Sequence, residues 1–163
     1  MDIILIGRIA EDGILSLLDG DKGRVLGEYP SRYVSEGVAG LEAEFGDEQC
    51  MKILDSYGAD VFVVGKQGIF SALYKLGNTY GTGLRVEQER LAVRQFCIEM
   101  ADRFDVSPYM ISSLGCILAC TVDGGRLTAE LNEAGYSAGL IGYTTDDKAC
   151  CAVTKNGLTF LNP

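Results

Sequence analysis

Residues 59–77 read ADVFVVGKQGIFSALYKLG, and they predict a strand, a tight turn and a helix in direct succession. The run at 61–64 is apolar and rich in β-branched residues, which is typical of a strand covered on both faces. Apolar residues then recur near helical spacing from Ile69 to Leu76, and Gly77 is placed to end the helix. We expect the rest of the chain to pack on this strand and helix.

Two glycines, Gly65 and Gly68, bracket Lys66 and Gln67 in the turn. A helix N-terminus carries free N–H groups that attract anions, and a lysine beside it adds positive charge. The turn therefore predicts a nucleotide- or phosphate-binding site formed by Gly65, Lys66, Gln67 and Gly68. The need for a tight reversal alone also explains the two glycines, because glycine has no Cβ to clash at positive φ. Neither the P-loop spacing nor the Gly-x-Gly-x-x-Gly pattern is present.

The composition is that of one globular domain. The chain has 163 residues, of which 47% are hydrophobic and 23% charged, so it is long enough to bury a core. Its net charge of −9 argues against nucleic acid and anionic membranes, because phosphate groups are neutralised by clustered Lys and Arg. No apolar run approaches the roughly 20 residues of a membrane span, and no signal peptide is evident. We expect a cytoplasmic protein.

The residue types that most often carry catalysis or metal binding are scarce. The chain has no histidine, which removes every Ser-His or Cys-His pair and the commonest metal ligand. The cysteines form no C-x-x-C pair and most of them lie in apolar segments, so we interpret them as buried free thiols. We therefore assign no catalytic residue and no metal ligand. The six cysteines are Cys50, Cys97, Cys116, Cys120, Cys150 and Cys151.

The rest of the chain alternates strands and helices without a repeat. Asp47 is a predicted helix N-cap, the Asp146-Asp147 pair predicts a tight hairpin turn, and Asn156-Gly157 predicts a second one. The further predicted strands lie at 2–9, 84–86, 115–122, 137–144, 149–153 and 158–161, and the further helices at 11–19, 32–45, 47–57, 95–104 and 126–133. This order indicates an α+β class, with a mixed β-sheet and helices packed on one face.

Several short motifs, taken with their spacing, resemble the C-terminal domain of the AIR synthase-related superfamily, and within it the hydrogenase maturation factors. The Arg94-to-Pro108 and Pro108-to-Gly115 separations fit the superfamily without gaps, and the resemblance covers nearly the whole chain. It implies an AIR synthase C-terminal-like sandwich as a single domain over 1–163, in which 31–58 is a helical covering segment. The motifs are Gly65–Ile69, Ala92–Arg94, Val106–Tyr109, Ser112–Leu118 and the closing strands from Ala138 to Phe160, and Asp2–Ala10 resembles the opening strand.

The sequence departs from the superfamily pattern at functional positions. The first motif usually carries an acidic residue where this chain has Val63, an arginine at Lys66 and a glycine at Gln67. The C-terminal cysteine tail of the maturation factors is absent, and Leu114 stands where many relatives are acidic. The resemblance places the metal-binding ATP site in a preceding N-terminal domain, which these 163 residues do not supply.

The resemblance implies a stand-alone AIR synthase-related C-terminal domain of uncertain activity. We expect it to bind a ligand or phosphate, or to act as a partner domain related to hydrogenase maturation factors. The alternative is one half of an ATP-dependent synthetase or dehydratase that a separate N-terminal ATP-binding domain completes. We expect no cofactor in this chain alone, and Mg-ATP to bind only together with a partner domain. The expected partner is either a second copy of this chain or an AIR synthase N-terminal-like domain. Self-association is expected because a lone half should expose an apolar face.

Overall fold

The computed structural model describes residues 1–42 and 44–162. Its strands are β1 (Asp2–Ile6), β2 (Asp60–Val63), β3 (Gly83–Glu87), β4 (Ile117–Thr121), β5 (Ala138–Thr145), β6 (Cys150–Thr154) and β7 (Gly157–Phe160). Its helices are α1 (Glu11–Gly20), α2 (Gly23–Leu26), α3 (Ser31–Ala39), α4 (Glu48–Ser56), α5 (Gly68–Tyr80), α6 (Gln95–Arg103) and α7 (Gly124–Glu133), with a short 3₁₀ helix at Gln88–Arg90.

The strands form one sheet in the order β2-β4-β1-β5-β3-β6-β7. All neighbouring strands are antiparallel except β3 and β6, which are parallel. The predicted α+β class and mixed sheet are therefore confirmed. The predicted Asn156-Gly157 hairpin is also confirmed, since β6 and β7 pair across it with Thr154 opposite Gly157.

The centre of the sheet is β1 with β4, and not the strand that opens residues 59–77. The prediction that this strand is covered on both faces is wrong. Among the described residues β2 pairs with β4 alone, so it is an edge strand, and Val63 is 73% exposed. By contrast Ile3, Ile4 and Ile6 of β1 are fully buried. A run of four apolar residues is compatible with an edge strand and with a central strand, so the sequence does not distinguish the two positions.

Helices cover both faces of this central part, so the prediction of helices on one face is corrected. Residues opposite each other in an antiparallel pair share a face, and successive residues alternate. Phe62 packs its ring against Tyr80 of α5, and its register partner on β4 is Leu118. The residue before Leu118, Ile117, therefore points to the opposite face, where its side chain approaches Gly46 just before α4. α5 therefore lies on one face, and α4 with α7 on the other. Within the segment 31–58, Phe45 and α4 pack in the apolar cluster of the sheet, whereas Val34 of α3 packs in another cluster.

A second apolar cluster lies among α1, α2, α3 and α6, away from the sheet. Val34 of α3 and Met100 of α6 are fully buried there. A Cβ on Gly37 would lie 2.3 Å from the Phe96 ring, so α3 and α6 are in close contact at this glycine. The helical part of the chain thus has its own small core beside the sheet.

The turn after β5 does not form the predicted Asp146-Asp147 hairpin. β3 lies between β5 and β6, and it pairs antiparallel with β5 and parallel with β6. The Asp147 backbone accepts a hydrogen bond from Gly83, and its carboxylate accepts one from Arg85 at 3.1 Å. These contacts hold β3 in the gap between β5 and β6. The insertion of a strand from 60 residues earlier in the chain leaves no local sequence signal.

α5 continues one turn past Gly77, the predicted end, to Tyr80. Gly81 ends it in the left-handed conformation, with φ of 67°. Gly77 is instead buried inside the helix, where a Cβ would lie 2.5 Å from the Cys150 Sγ. Its glycine therefore permits close packing of α5 on β6. The Asp47 N-cap is confirmed, because its carboxylate accepts a hydrogen bond from the Cys50 N–H at 2.9 Å.

Candidate functional site

The turn at 65–68 is held by its neighbours on the segment 109–113. The Gly65 carbonyl accepts hydrogen bonds from the Gly68 N–H at 3.2 Å and the Ser113 N–H at 3.3 Å. One N–H of the first turn of α5, that of Phe70, donates to the Tyr109 carbonyl at 3.2 Å. The rings of Phe70 and Tyr109 stack with centroids 5.1 Å apart. The N-terminus of α5 therefore already uses one of its donors within the chain.

Gly68 is glycine for a structural reason. Its φ is +88°, and a Cβ would lie 2.7 Å from the carbonyl oxygens of both Tyr109 and Ile111. Lys66 and Gln67, by contrast, are exposed. The four predicted site residues, which are consecutive in the chain, lie at the amino end of α5. Binding of an anion there stays a prediction.

An open sheet face is the feature that the sequence analysis did not identify as a site. Tyr143 of β5 is opposite Arg85 of β3, Glu87 is level with Val153 of β6, and Val153 is opposite Leu158 of β7. These side chains all project from one face, which is the α4 and α7 face of the sheet. Beyond the reach of those helices, several described side chains on this face are exposed, although Cys151, on the same face, is buried. Its large exposed apolar side chains are Tyr143 (54%), Val153 (37%), Leu158 (53%) and Phe160 (65%).

A cleft lies on this open face. It has a volume of 220 Å³ and is lined by Arg85, Glu87, Glu89, Tyr143, Val153, Thr154 and Lys155. A second cleft of 240 Å³ shares Glu89, Thr154 and Lys155 with it and extends to Tyr109, whose carbonyl binds the start of α5. Arg85 is fixed in the cleft because it donates to the Ala149 carbonyl at 3.0 Å and to the Asp147 carboxylate. The two clefts therefore adjoin at Glu89, Thr154 and Lys155, and the second one reaches Tyr109, which contacts the start of α5.

The residue pattern along β3 indicates that one face of this strand is exposed, although no site was predicted from it. Arg85 and Glu87 alternate with the buried Leu84 and Val86 along β3, which marks one covered and one open face. The sequence does not indicate which residues of other strands lie beside Arg85 and Glu87, because β3 is inserted between β5 and β6.

A buried carboxylate joins the sheet to the helical cluster. Glu11, at the start of α1, is 1% exposed and lies 3.1 Å from Arg8 Nη2 and 3.8 Å from Arg94 Nη1. The Cys97 thiol donates a hydrogen bond to Glu11 at 2.8 Å. Arg94 also donates to the Gly37 carbonyl at 3.2 Å, so this motif arginine serves packing between α3 and α6. The two guanidinium groups supply the charge that a buried carboxylate requires.

The six cysteines are free and buried, as predicted. Burial raises the pKa of the Cys116 thiol to about 12 and that of the Cys120 thiol to about 11. Burial, followed by the neighbouring Glu11 carboxylate, also raises the pKa of Cys97. Thiols with raised pKa values are poor nucleophiles because the thiolate is the reactive form.

Two classes of site can be assessed over 1–42 and 44–162. No group of three or more Cys, Asp or Glu side chains in those ranges is placed to hold a metal ion. Across the same residues, no helix is both long and apolar enough to cross a membrane.

No protein-family model matches the chain, and no curated protein matches it in sequence. Among solved structures, the hydrogenase maturation protein HypE of E. coli matches 99% of this chain with a TM-score of 0.79 and 15% identity, over 49% of the HypE chain. HypE in its complex with HypF matches 99% of this chain with the same TM-score and identity, over 52% of that chain. Thiamine-monophosphate kinase from Stenotrophomonas maltophilia matches 89% with a TM-score of 0.67 and 13% identity, over 47% of its chain.

These neighbours are AIR synthase-related proteins, so the predicted resemblance is confirmed at the level of the fold. Identities of 13–15% show the fold alone. The chain spans about half the length of the solved structures that it matches.

Proposed function

We propose that this chain is an AIR synthase-related domain that works as a binding partner, and that its open sheet face receives an ATP-binding domain of the same superfamily. The observation that carries the proposal is the set of four large apolar side chains exposed together on that face, beside a 220 Å³ cleft. A contiguous exposed apolar surface on a soluble domain usually marks an interaction site.

The open face has the composition of an interface. Tyr143 and Val153 are apolar anchors near its middle, and aromatic residues are enriched at such positions. Around them stand ionic side chains, including Arg85 paired with Asp147 and Arg90 paired with Glu87. Full burial of a large apolar side chain contributes about 1.5–3 kcal/mol, and these anchors would gain part of that because they are already half-buried.

The length of the matching proteins supports an ATP-binding domain as the occupant. A HypE structure in complex with ATP matches 99% of this chain, but the match takes up only 50% of that HypE chain. The remainder of such a protein is a second part of similar size. We therefore propose the same division here, with this chain as one half of an ATP-dependent enzyme and Mg-ATP held mainly by the other half. The six free buried cysteines support a cytoplasmic location, where thiols stay reduced.

Co-purification tests the proposal. The chain is affinity-tagged, expressed in its native cells at its natural level and purified under mild conditions, and proteins bound to it are identified by mass spectrometry. We expect a protein with an AIR synthase-type ATP-binding domain, and we expect Tyr143→Glu to release it. The control is Val122→Glu, in the loop between β4 and α7, where an exposed valine (84%) lies outside the cleft and two strands from β5 in the sheet. Recovery of no such protein, or equal recovery with Tyr143→Glu, would contradict the proposal.

A second candidate function is anion binding at the turn 65–68. Lys66 and Gln67 are exposed at the amino end of a 13-residue helix, and this observation favours it. The purified chain is titrated with Mg-ATP, ADP and inorganic phosphate while its melting temperature is followed. A ligand at 100 times its Kd stabilises by about 2.7 kcal/mol. We expect a shift that Lys66→Ala removes and that Lys75→Ala, on the same helix, retains; equal shifts in both variants, or no shift, would exclude the site.

A further inference from the structure

β7 ends the sheet with an edge that another strand can extend. One side of β7 pairs with β6, and no strand of the described residues pairs with its other side. The Leu161 N–H donates to the Cys150 carbonyl at 2.8 Å, so the backbone groups of Leu161 and Thr159 point towards β6. Backbone direction alternates along a strand. The N–H and C=O groups of Leu158 and Phe160 therefore point away from the sheet.

Three features that often block an edge strand are missing from β7. Natural edges are protected by charged side chains, by proline or by a bulge. The segment 156–162 carries no charged residue, β7 contains no proline, and its pairing with β6 has no shift of register. All four residues of β7 are exposed, and Leu158 and Phe160 present large apolar side chains on the same face.

We propose that β7 pairs with β7 of a second copy of this chain, antiparallel and about a two-fold axis perpendicular to the sheet. Such an axis keeps each face on its own side, so only positions that share a face can stand opposite each other. One register places Leu158 opposite Phe160 of the second copy, and Thr159 opposite its own counterpart. In this register the outward N–H and C=O groups of Leu158 and Phe160 are all paired.

The side chains match in the same register as the backbone. Leu158 of each copy meets Phe160 of the other on the open face, and aromatic cross-strand pairs stabilise sheets. Asn156 stands opposite Asn162, so the uncharged segment of one copy meets the uncharged segment of the other. A second copy therefore meets no opposing like charge along 156–162, even though each chain carries a net charge of −9. The two sheets become one, with both open faces on the same side.

Cysteine cross-linking tests the register directly. In a non-hydrogen-bonded antiparallel pair the Cα atoms are about 4.5 Å apart, which a disulfide can span. Under a mild oxidant, Thr159→Cys is therefore expected to form a covalent dimer. Leu158→Cys is expected not to, because its opposite residue is Phe160, whereas the double variant Leu158→Cys, Phe160→Cys should cross-link. The wild-type chain and Val122→Cys are the controls, since the native cysteines are buried.

Sedimentation of the purified chain without oxidant supplies an independent measurement. We expect the wild type to form a dimer of twice 17.5 kDa. Phe160→Lys should weaken it at least about tenfold, because the contact of the ring with Leu158 of the other copy is lost and the two new lysines lie diagonally across the strand pair. Val122→Lys should leave it unchanged, and added salt should strengthen the dimer by screening the net charge.

A chain that stays monomeric at high concentration would overturn the inference, and so would Thr159→Cys cross-linking no faster than Val122→Cys. Neither outcome bears on the ATP-binding partner, because these experiments use the purified chain alone.

Discussion

Gly68→Ala is the sharpest test of how the turn at 65–68 is built. Gly68 has φ of +88°, where an L-residue is strained by about 1–2 kcal/mol. The new Cβ would also lie 2.7 Å from two backbone carbonyl oxygens, of Tyr109 and Ile111. The Tyr109 carbonyl cannot move away without lengthening its hydrogen bond to the Phe70 N–H. Overpacking of this kind costs a further 1–3 kcal/mol or so.

The two contributions add to a loss of about 2–5 kcal/mol in the free energy of unfolding. Urea denaturation measures it, and with an m-value near 2 kcal/mol/M the midpoint should fall by about 1–2.5 M. Gly135→Ala is the matched control. Gly135 has φ of +96° but no atom within 4 Å of its Cβ position, so it carries the backbone strain without the contact. The difference between the two variants isolates the contact with 109–111.

Equal losses in Gly68→Ala and Gly135→Ala would refute this reasoning. That result would show that the backbone carbonyl groups of 109–111 move away from the new Cβ without loss of stability. Their close approach would then not be the reason for glycine at position 68. A Gly68→Ala chain of wild-type stability that no longer responds to Mg-ATP would assign the glycine to ligand binding instead.

Two further predictions concern charges. Glu11→Gln should lower the free energy of unfolding by about 2–4 kcal/mol. This is less than for a fully buried ion pair, because the Arg8 and Arg94 side chains are 30% and 26% exposed. The control Glu36→Gln, which breaks the exposed pair with Arg32, should lower it by under about 0.5 kcal/mol. Equal urea midpoints for the two variants would contradict this. Hydrogen bonds from the Tyr136 hydroxyl, and next from the Cys50 N–H, lower the pKa of Asp47 in the folded chain. The ionised carboxylate therefore stabilises the fold above its unfolded-state pKa near 3.9. This stabilisation is lost as the pH falls through the lower folded-state pKa. Asp47→Asn, which keeps a capping side chain, should flatten the loss of stability below pH 5 in urea denaturation, and an unchanged pH profile would count against it.

The local features of the fold could be predicted from the sequence. The Asp47 cap and the turn after β6 each depend on a few adjacent residues, and both are found as expected. The buried strand predicted at 115–122 is found as β4, at Ile117–Thr121. Their stability comes from contacts within a short segment, which residue type alone largely specifies.

The order of the strands could not be predicted in the same way. The position of β2 at an edge and of β3 between β5 and β6 depends on contacts between segments far apart in the chain. Gly77 illustrates the same limit, because its role comes from Cys150, 73 residues later. The open face combines side chains from four strands, so its residues were visible in the sequence while their proximity was not.

The central claim is that the open sheet face is the docking surface for an ATP-binding domain. The most direct test is calorimetric titration of the co-purified ATP-binding domain into the wild-type chain, Val153→Lys and Val122→Lys. A lysine at Val153 would place an unpaired charge in the middle of the interface, so affinity should fall at least about tenfold, while Val122→Lys should bind as the wild type does. Equal affinity for all three chains would place the partner elsewhere and contradict the account.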